Sequence, residues 1–155
     1  MDLSRQNKSF EDIGLENFAP YLMNRIMGRY NASLRAEMAR QGLTTPKVRT
    51  LAVLAMIDGL LIGHLAVYAV VEFSTLSRTL DSLEEDGFVR RQQDATDARA
   101  TRIHITEDGR TAFREIWPSM AQFYNEMFQG ISEKDQRQFV ATLQAILLNV
   151  RRHDF

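Results

Sequence analysis

The sequence of 155 residues lacks cysteine altogether and contains three histidines. The absence of cysteine excludes disulfides, thiolate catalysis and cysteine-based metal sites, and three dispersed histidines do not indicate a metal centre. Glycine-rich phosphate loops and nucleophile motifs are also missing, so neither a cofactor nor an enzymatic activity is predicted. Hydrophobic runs stay well below the roughly 18 residues of a membrane span, and we therefore expect a cytoplasmic protein.

An excess of positive charge is missing too. Nineteen lysines and arginines stand against 20 aspartates and glutamates, which gives a net charge of −1 and an isoelectric point near 6.3. Nucleic-acid-binding domains are often basic, so any such contact must come from a local cluster of positive charge. Sixteen of the 19 basic residues are arginine, which suits bidentate contacts with phosphate and guanine.

Both terminal regions carry apolar residues at helical spacings of three and four. The spacing predicts one helix over about 12–41, ended by Gly42. It also predicts a long helix over about 107–130, capped by Thr106. A kink is expected at Pro118 of the long helix. Ser132 is expected to cap a last helix, whose apolar stripe comprises Phe139, Val140, Leu143, Ile146, Leu147 and Val150.

The chain is predicted to form a single domain with two kinds of segment. Residues of about 12–42 and 107–152 would be dimerisation helices, and about 45–106 would be the module between them. The small central module cannot cover both terminal stripes, which would leave large apolar patches on a monomer. We therefore expect a homodimer with two-fold symmetry.

Three short helices are predicted in the central module. The first starts at Thr45-Pro46, with the Thr45 hydroxyl as its cap and Pro46 at the first helical position. A short extended segment is expected at 60–62, and further helices at about 63–70 and 74–87.

A hairpin follows these helices. Strands are predicted at 88–92 and 101–106, because apolar residues alternate with polar ones in the second of them. Helices followed by a hairpin with a polar tip are the layout of a winged helix-turn-helix. The predicted fold is therefore mainly α-helical with a small β-wing, a shape that fits DNA grooves.

The helix at 74–87 has one apolar face and one polar face. Leu76, Leu80 and Leu83 are expected to face the core. The opposite face carries Ser74, Thr75, Ser77 and Arg78. The short hydroxyl side chains allow the helix to approach a DNA groove closely, and Arg78 can reach guanine. Alternatively, the hydroxyls are helix caps and the arginine is an ordinary exposed residue.

Acidic and turn residues flank this helix. Glu84, Glu85 and Asp86 point about 100° apart on a helix, so they cannot converge on one ion or substrate. At the wing tip, Arg99 can enter a minor groove, and Asp97 can accept hydrogen bonds that fix the turn. The alternative for the tip is an ordinary hairpin loop.

These residues together resemble the MarR (multiple-antibiotic-resistance regulator) family of bacterial winged-helix repressors, over most of the chain. Five family motifs have counterparts in this sequence. Leu65-Ala66 matches Leu-Ala, Ser74–Arg78 is similar to Ser-Thr-Val-Ser/Thr-Arg, and Leu83–Arg91 is similar to Leu-Glu-x-x-Gly-Leu-Val-x-Arg. Asp94–Arg99 matches Asp-x-x-Asp-x-Arg, and Ile105–Gly109 is similar to Leu-Thr-x-x-Gly. The sequence departs from the family at Val70-Val71, where a glycine or another small residue is usual, so the turn is predicted to be shifted or the preceding helix extended. It also departs at Phe73, where a basic or polar residue is common. Phe73 removes a phosphate contact or adds an apolar contact to a thymine methyl.

The resemblance implies a homodimer clasped by its terminal helices. Each recognition helix would enter a major groove of a pseudo-palindromic operator on double-stranded DNA, with the wings in flanking minor grooves. The DNA-contacting positions implied are Phe73, Ser74, Thr75, Ser77, Arg78, Arg91, Asp97 and Arg99. Small anionic, phenolic or other aromatic effectors often release such proteins from DNA.

The family's effector pocket lies between the dimer helices and the winged module. The positions of this sequence that would line it are Met27, Tyr30, Arg49, Met56, His64 and Trp117. Arg49 or His64 could meet a carboxylate there. Alternatively, methionines and aromatics at helical spacing are core residues.

The sequence thus predicts a sequence-specific DNA-binding regulator, a ligand-responsive repressor that acts as a homodimer. One alternative is a helical dimer of the same type that no longer reads DNA and antagonises another protein; the near-neutral charge motivates it. Another alternative is a small-molecule-binding protein with an inert wing.

Overall fold

The structure is a computed structural model that describes residues 9–153. In this range helices predominate and three strands form one sheet, so the predicted mainly α-helical fold with a small β-wing is confirmed. The elements in chain order are α1 (Phe10–Ile13), a 3-10 turn (Leu15–Asn17), α2 (Ala19–Arg40), α3 (Thr45–Met56), β1 (Leu60–Leu61), α4 (Ile62–Ala69), α5 (Phe73–Glu85), β2 (Val89–Gln93), β3 (Thr101–Ile105), α6 (Glu107–Met127) and α7 (Glu133–Val150). Within the described residues, none of these helices is long and apolar enough to cross a membrane.

The predicted first helix over 12–41 is wrong at its beginning. Gly14 has a positive φ of 68° with an extended ψ of 155°, a backbone conformation that favours glycine, and this ends α1. Pro20 lies in the first turn of α2, where the missing N–H is tolerated. The apolar spacing of Leu15 and Phe18 continues through this break, which is why the pattern alone did not reveal it.

Side-chain caps fix the beginnings of three helices. The cap of α3 is Thr44 rather than the predicted Thr45, and its side chain accepts from the backbone amide of Lys47 at 3.5 Å. Thr106 and Ser132 cap α6 and α7 as predicted. The Thr106 hydroxyl accepts from the Gly109 amide at 3.1 Å, and the Ser132 hydroxyl accepts from the Asp135 amide at 3.2 Å. α6 continues through Pro118, at which a kink is predicted.

The core lies where α3, α4, α5, α6 and the sheet meet. Its fully buried side chains are mostly leucine and isoleucine: Leu51, Leu54, Leu65, Leu76, Leu80, Leu83, Ile103 and Ile116. Each such side chain contributes about 1.5–3 kcal/mol when it leaves water. The predicted stripe of α5 is therefore confirmed as a core face, and it determines which side of this helix stays in solvent.

The sheet is antiparallel with β3 in the centre, between β1 and β2. The expected extended segment at 60–62 supplies the edge strand β1. Val89, Ile103 and Ile105 point into the core. Because successive residues alternate between the faces, Arg90 and His104, which are paired in the register, lie on the outer face.

The turn between α4 and α5 begins directly after Ala69, so α4 is not longer than the helix predicted at about 63–70. Val70 itself adopts the left-handed conformation, with φ of 53° and ψ of 52°, directly after α4. This backbone region is unfavourable for a β-branched residue. The Arg49 guanidinium donates a hydrogen bond of 3.2 Å to the Val70 carbonyl oxygen and so holds the turn to α3.

We predict that Val70→Gly stabilises the protein. The left-handed conformation costs a branched residue about 1–2 kcal/mol, and glycine removes this cost. The greater freedom of glycine in the unfolded chain lowers stability by roughly 0.5–1 kcal/mol, so part of the gain is lost. Val70 is 75% exposed, so little packing is lost. Urea unfolding at fixed protein concentration should show a free energy of unfolding about 0.5–1 kcal/mol higher.

Val71→Gly is the matched control. Val71 packs against the core and does not have a positive φ, so its replacement should lower the free energy of unfolding. A loss of stability in Val70→Gly would mean that contacts of the valine side chain outweigh the backbone strain.

Candidate nucleic-acid interface

The solvent face of α5 brings together most of the residues that the sequence predicts to contact DNA. Phe73, Ser74, Thr75, Ser77 and Arg78 are all exposed, whereas the leucine stripe behind them is fully buried. The first two turns of α5 therefore leave an aromatic ring, three hydroxyls and a guanidinium exposed to solvent.

The hydroxyls on α5 are not helix caps. The cap position is Glu72, whose side chain makes no capping hydrogen bond, and Ser74 and Thr75 lie inside the first turn. Within residues 9–153, no intramolecular side-chain hydrogen bond is found for Ser74, Ser77 or Arg78. The capping interpretation of these residues is therefore wrong, and their polar groups are available to a ligand.

The wing tip is ordered by Asp94. One of its carboxylate oxygens accepts from the Thr96 hydroxyl at 2.6 Å, the Thr96 amide at 2.9 Å and the Asp97 amide at 3.0 Å. The hydrogen bonds from Thr96, then those from Arg102 and the Asp97 amide, hold the pKa of Asp94 well below its ordinary value. The carboxylate thus stays charged at neutral pH, and the turn keeps its acceptor.

Asp97 and Arg99 form the outermost part of the wing. Asp97 accepts a hydrogen bond of 2.9 Å from the backbone amide of Arg99. The Arg99 side chain is exposed, and among the described residues its guanidinium has no hydrogen bond or ion pair. The tip therefore carries an unpaired cation on an ordered turn, and the predicted hydrogen bonding of the turn by Asp97 is confirmed.

The base of the wing is tied to the loop before β1. The Arg102 guanidinium pairs with Asp94 and donates to the Gly59 carbonyl oxygen at 2.8 Å. Asp58 accepts from the Ile105 amide at 2.8 Å and lies 3.0 Å from His104 Nδ1. Partial burial alone would raise the pKa of Asp58, but these hydrogen bonds outweigh it and lower the pKa.

Arg91 joins the wing to α5. Its guanidinium lies 2.7 Å from an Asp81 carboxylate oxygen and also pairs with Glu84. Burial alone would lower the pKa of Arg91, but the hydrogen bonds to Asp81 and Glu84 dominate and raise it. The structure places this predicted DNA-contacting residue in an intramolecular clamp between β2 and α5.

Sequence reasoning missed three features: the role of Arg102, the Asp94 carboxylate as a shared acceptor in the turn, and the ion pairs of Arg91 with α5. Asp94-x-Thr96 has the spacing of a turn in which an aspartate side chain accepts from the amide two residues later, so it could have indicated the role of Asp94. Asp81 and Glu84 have i,i+3 spacing on α5, which could have indicated a shared partner. The carboxylates at the end of α5 diverge as predicted, because Glu84 pairs with Arg91 while Asp86 pairs with Lys47 at 2.7 Å.

The six predicted effector-binding residues do not line one pocket. A cavity of about 780 Å³ between α2, α6 and α7 is lined by one of the six, Tyr30. The other five do not line this cavity: Met27 is 44% exposed on α2, Arg49 contacts the Val70 carbonyl, Met56 is 82% exposed, His64 lies in the first turn of α4, and Trp117 packs beside Phe113 with ring centroids 6.2 Å apart.

Comparison with known proteins extends these observations. A sequence model of the MarR family matches residues 41–100. A MarR-family transcriptional regulator from Silicibacter pomeroyi is 51% identical with a TM-score of 0.90, and the match covers 96% of this chain and 100% of that chain. The HTH-type transcriptional repressor IacR of Pseudomonas putida is 22% identical over 147 residues, covering 95% of this chain and 88% of IacR. CouR from Rhodococcus jostii RHA1, solved with p-coumaroyl-CoA bound, is 22% identical with a TM-score of 0.76; 90% of this chain and 99% of CouR are covered, and this likeness concerns the fold.

The α4–turn–α5 unit and the paired hairpin define a winged helix-turn-helix protein. Since it shares 51% of its residues with the regulator from S. pomeroyi over nearly its entire length, the chain belongs to the MarR family of transcriptional regulators.

We predict that Arg91→Ala lowers the free energy of unfolding by about 1 kcal/mol. The Arg91 side chain is 28% exposed, so solvent screens its two ion pairs in part. Amide hydrogen exchange in β2 should accelerate because the strand loses its attachment to α5. Urea unfolding and exchange measured by mass spectrometry check both effects.

Arg90→Ala is the control for this prediction. Arg90 is the preceding residue on the outer face of β2, and its guanidinium donates to Gln92 at 2.8 Å. Its loss should change stability by less than half as much. If Arg91→Ala costs the same stability in an Asp81→Asn/Glu84→Gln background, the clamp does not act through these carboxylates.

Proposed function

We propose that the protein is a DNA-binding repressor that acts as a homodimer and responds to a small effector. The observation that carries this proposal is the polar face of α5, whose hydroxyls and Arg78 guanidinium have no partner within residues 9–153. Beside this face lies an ordered wing with an unpaired arginine at its tip.

The geometry of α5 supports a role as a recognition helix. Its leucine stripe holds the helix against the core, so the opposite face projects from the module. An α-helix fits the major groove, and residues near the helix N-terminus meet the base edges. Ser74 and Ser77 permit close approach, and Arg78 is long enough to reach guanine. Arg99 on the wing tip suits a narrow minor groove.

Local charge compensation supports this role despite the net charge of −1. Arg91 pairs with Asp81 and Glu84, and Lys47 pairs with Asp86, so these carboxylates repel phosphate less. Arg78 and Arg99 keep their full charge for DNA. The sum over the whole chain therefore understates the positive potential at the interface.

The terminal helices support a homodimer. No side chain of α7 is buried among the described residues, although the helix is 18 residues long. Isolated helices of this length are marginal in water. The apolar side chains that α7 leaves exposed are Phe139, Val140, Ile146, Leu147, Leu148 and Val150. A second copy would cover the part of this stripe from Val140 to Val150 together with the exposed Leu22 of α2.

The cavity between α2, α6 and α7 supports effector binding. Tyr30, Phe123, Phe128 and Phe139 line it, and Arg29 on its wall could hold an anion. Two carboxylates also line the cavity, but they are engaged: Glu126 accepts from Gln122, and Asp135 accepts from the Ser132 hydroxyl. CouR, which was solved with an aromatic acyl-CoA bound, motivates an anionic aromatic effector for this chain.

We predict that Arg78→Ala lowers affinity mainly for the cognate operator. A bidentate contact with guanine contributes about 1–3 kcal/mol of discrimination, so the preference for operator over random DNA should shrink. Arg99→Ala should instead weaken both duplexes and reduce the salt slope by about one unit. Titration of each variant against operator and scrambled duplex at several salt concentrations measures both effects.

Arg137→Ala is the control for charge, because Arg137 is an exposed arginine on α7 that pairs with Glu133. It should leave both affinities nearly unchanged. Equal losses on both duplexes for Arg78→Ala would contradict base reading. If the wild type shows no salt-dependent binding to any duplex, the repressor function fails and the antagonist alternative is favoured.

We predict that Leu147→Asp dissociates the dimer. Leu147 is 62% exposed in the single chain, so a charge there costs the monomer little but would be buried without a partner in the interface. Light scattering at micromolar concentration should change from dimer to monomer. Ala145→Asp, about 200° around the same helix, should remain dimeric. A stable wild-type monomer, or equal effects of the two variants, would contradict the proposed interface.

A further inference from the structure

Phe73 is exposed, and packing of the fold does not require a phenylalanine at this position. The first residue of α5 leaves 59% of its surface in solvent, and it does not belong to the core or to the side chains packed against it. Val67 and Val70 beside it are also exposed, so the ring stands at the edge of a small apolar surface. Burial therefore does not explain a phenylalanine here.

The ring adjoins the polar face of α5. Phe73 and Ser77 are four residues apart on the helix, and so are Ser74 and Arg78, so these pairs are neighbours on its surface. Phe73 therefore lies at the edge of the polar face, beside Ser77, and a helix that inserts its N-terminal turns into the major groove brings the ring to the rim of that contact. The inference thus rests on the proposed DNA-binding function and specifies one of its contacts.

The chemistry around the ring favours a base over the DNA backbone. Glu72 precedes Phe73 and its side chain makes no capping hydrogen bond, so its carboxylate disfavours a phosphate at this corner. A phenyl ring offers no hydrogen bond to a base edge. In the major groove the apolar group that a ring can recognise is the 5-methyl group of thymine.

We propose that Phe73 reads the 5-methyl group of a thymine in each half-site of the operator. The ring covers the methyl group and removes it from water. Ser74 and Arg78 supply polar contacts to neighbouring bases, and Phe73 adds discrimination for thymine over cytosine and over uracil, which lacks the methyl group.

The test replaces thymine by deoxyuridine, which removes the methyl group and keeps base pairing. The operator is first selected from a random duplex library with the full-length protein. Each thymine is then replaced symmetrically in both half-sites. One replacement should weaken wild-type binding about fourfold per methyl group, or roughly 15-fold for the pair. Phe73→Ala should bind the thymine operator about as weakly and should be insensitive to that replacement.

Phe73→Leu is the matched variant, because it keeps an apolar group and should retain part of the uracil sensitivity. All variants should keep the wild-type melting temperature, since the ring is largely exposed. The proposal is overturned if the wild type tolerates uracil at every position, if the selected half-sites hold no thymine, or if Phe73→Ala keeps the wild-type sensitivity. Failure of the library to yield any preferred duplex would instead overturn the DNA-reading function itself.

Discussion

Burial of the leucine stripe of α5 is the interaction on which the rest of the molecule depends. Leu76, Leu80 and Leu83 are fully buried against α3, α4 and the sheet, together with Leu54 and Ile116. This packing fixes the rotation of α5 about its axis, and with it the direction of every polar side chain on the other face. A change in the core would therefore alter the candidate interface without touching any of its residues.

A second set of interactions, all of them polar, sets the position of the wing relative to this helix. Arg91 reaches from β2 to α5, while Arg102 and Asp58 attach the hairpin to the loop that precedes β1. The residues involved are partly exposed, so each link contributes modestly to stability. Their main effect is geometric, because they fix the angle between two surfaces that would meet the same duplex.

The sequence predicted those features that depend on local pattern. The α5 stripe, the caps at Thr106 and Ser132 and the strands of the hairpin follow from periodicity and turn chemistry, and the structure confirms them. The break at Gly14 was missed because apolar spacing continues across it. The spacing of Asp81 and Glu84 on α5 indicates a shared cationic partner, but the identity of that partner as Arg91 depends on how β2 packs on α5. The dispersion of Arg49, Met56 and Trp117 likewise depends on how the helices pack in three dimensions.

The exposed stripe of α7 has a consequence for the amount of protein in a cell. If the helix is held in place by a second copy, folding of this segment and association are one equilibrium, and stability depends on protomer concentration. At low expression the population of intact dimers then rises with the square of the chain concentration. A regulator held together in this way would respond to its own abundance more steeply than in direct proportion.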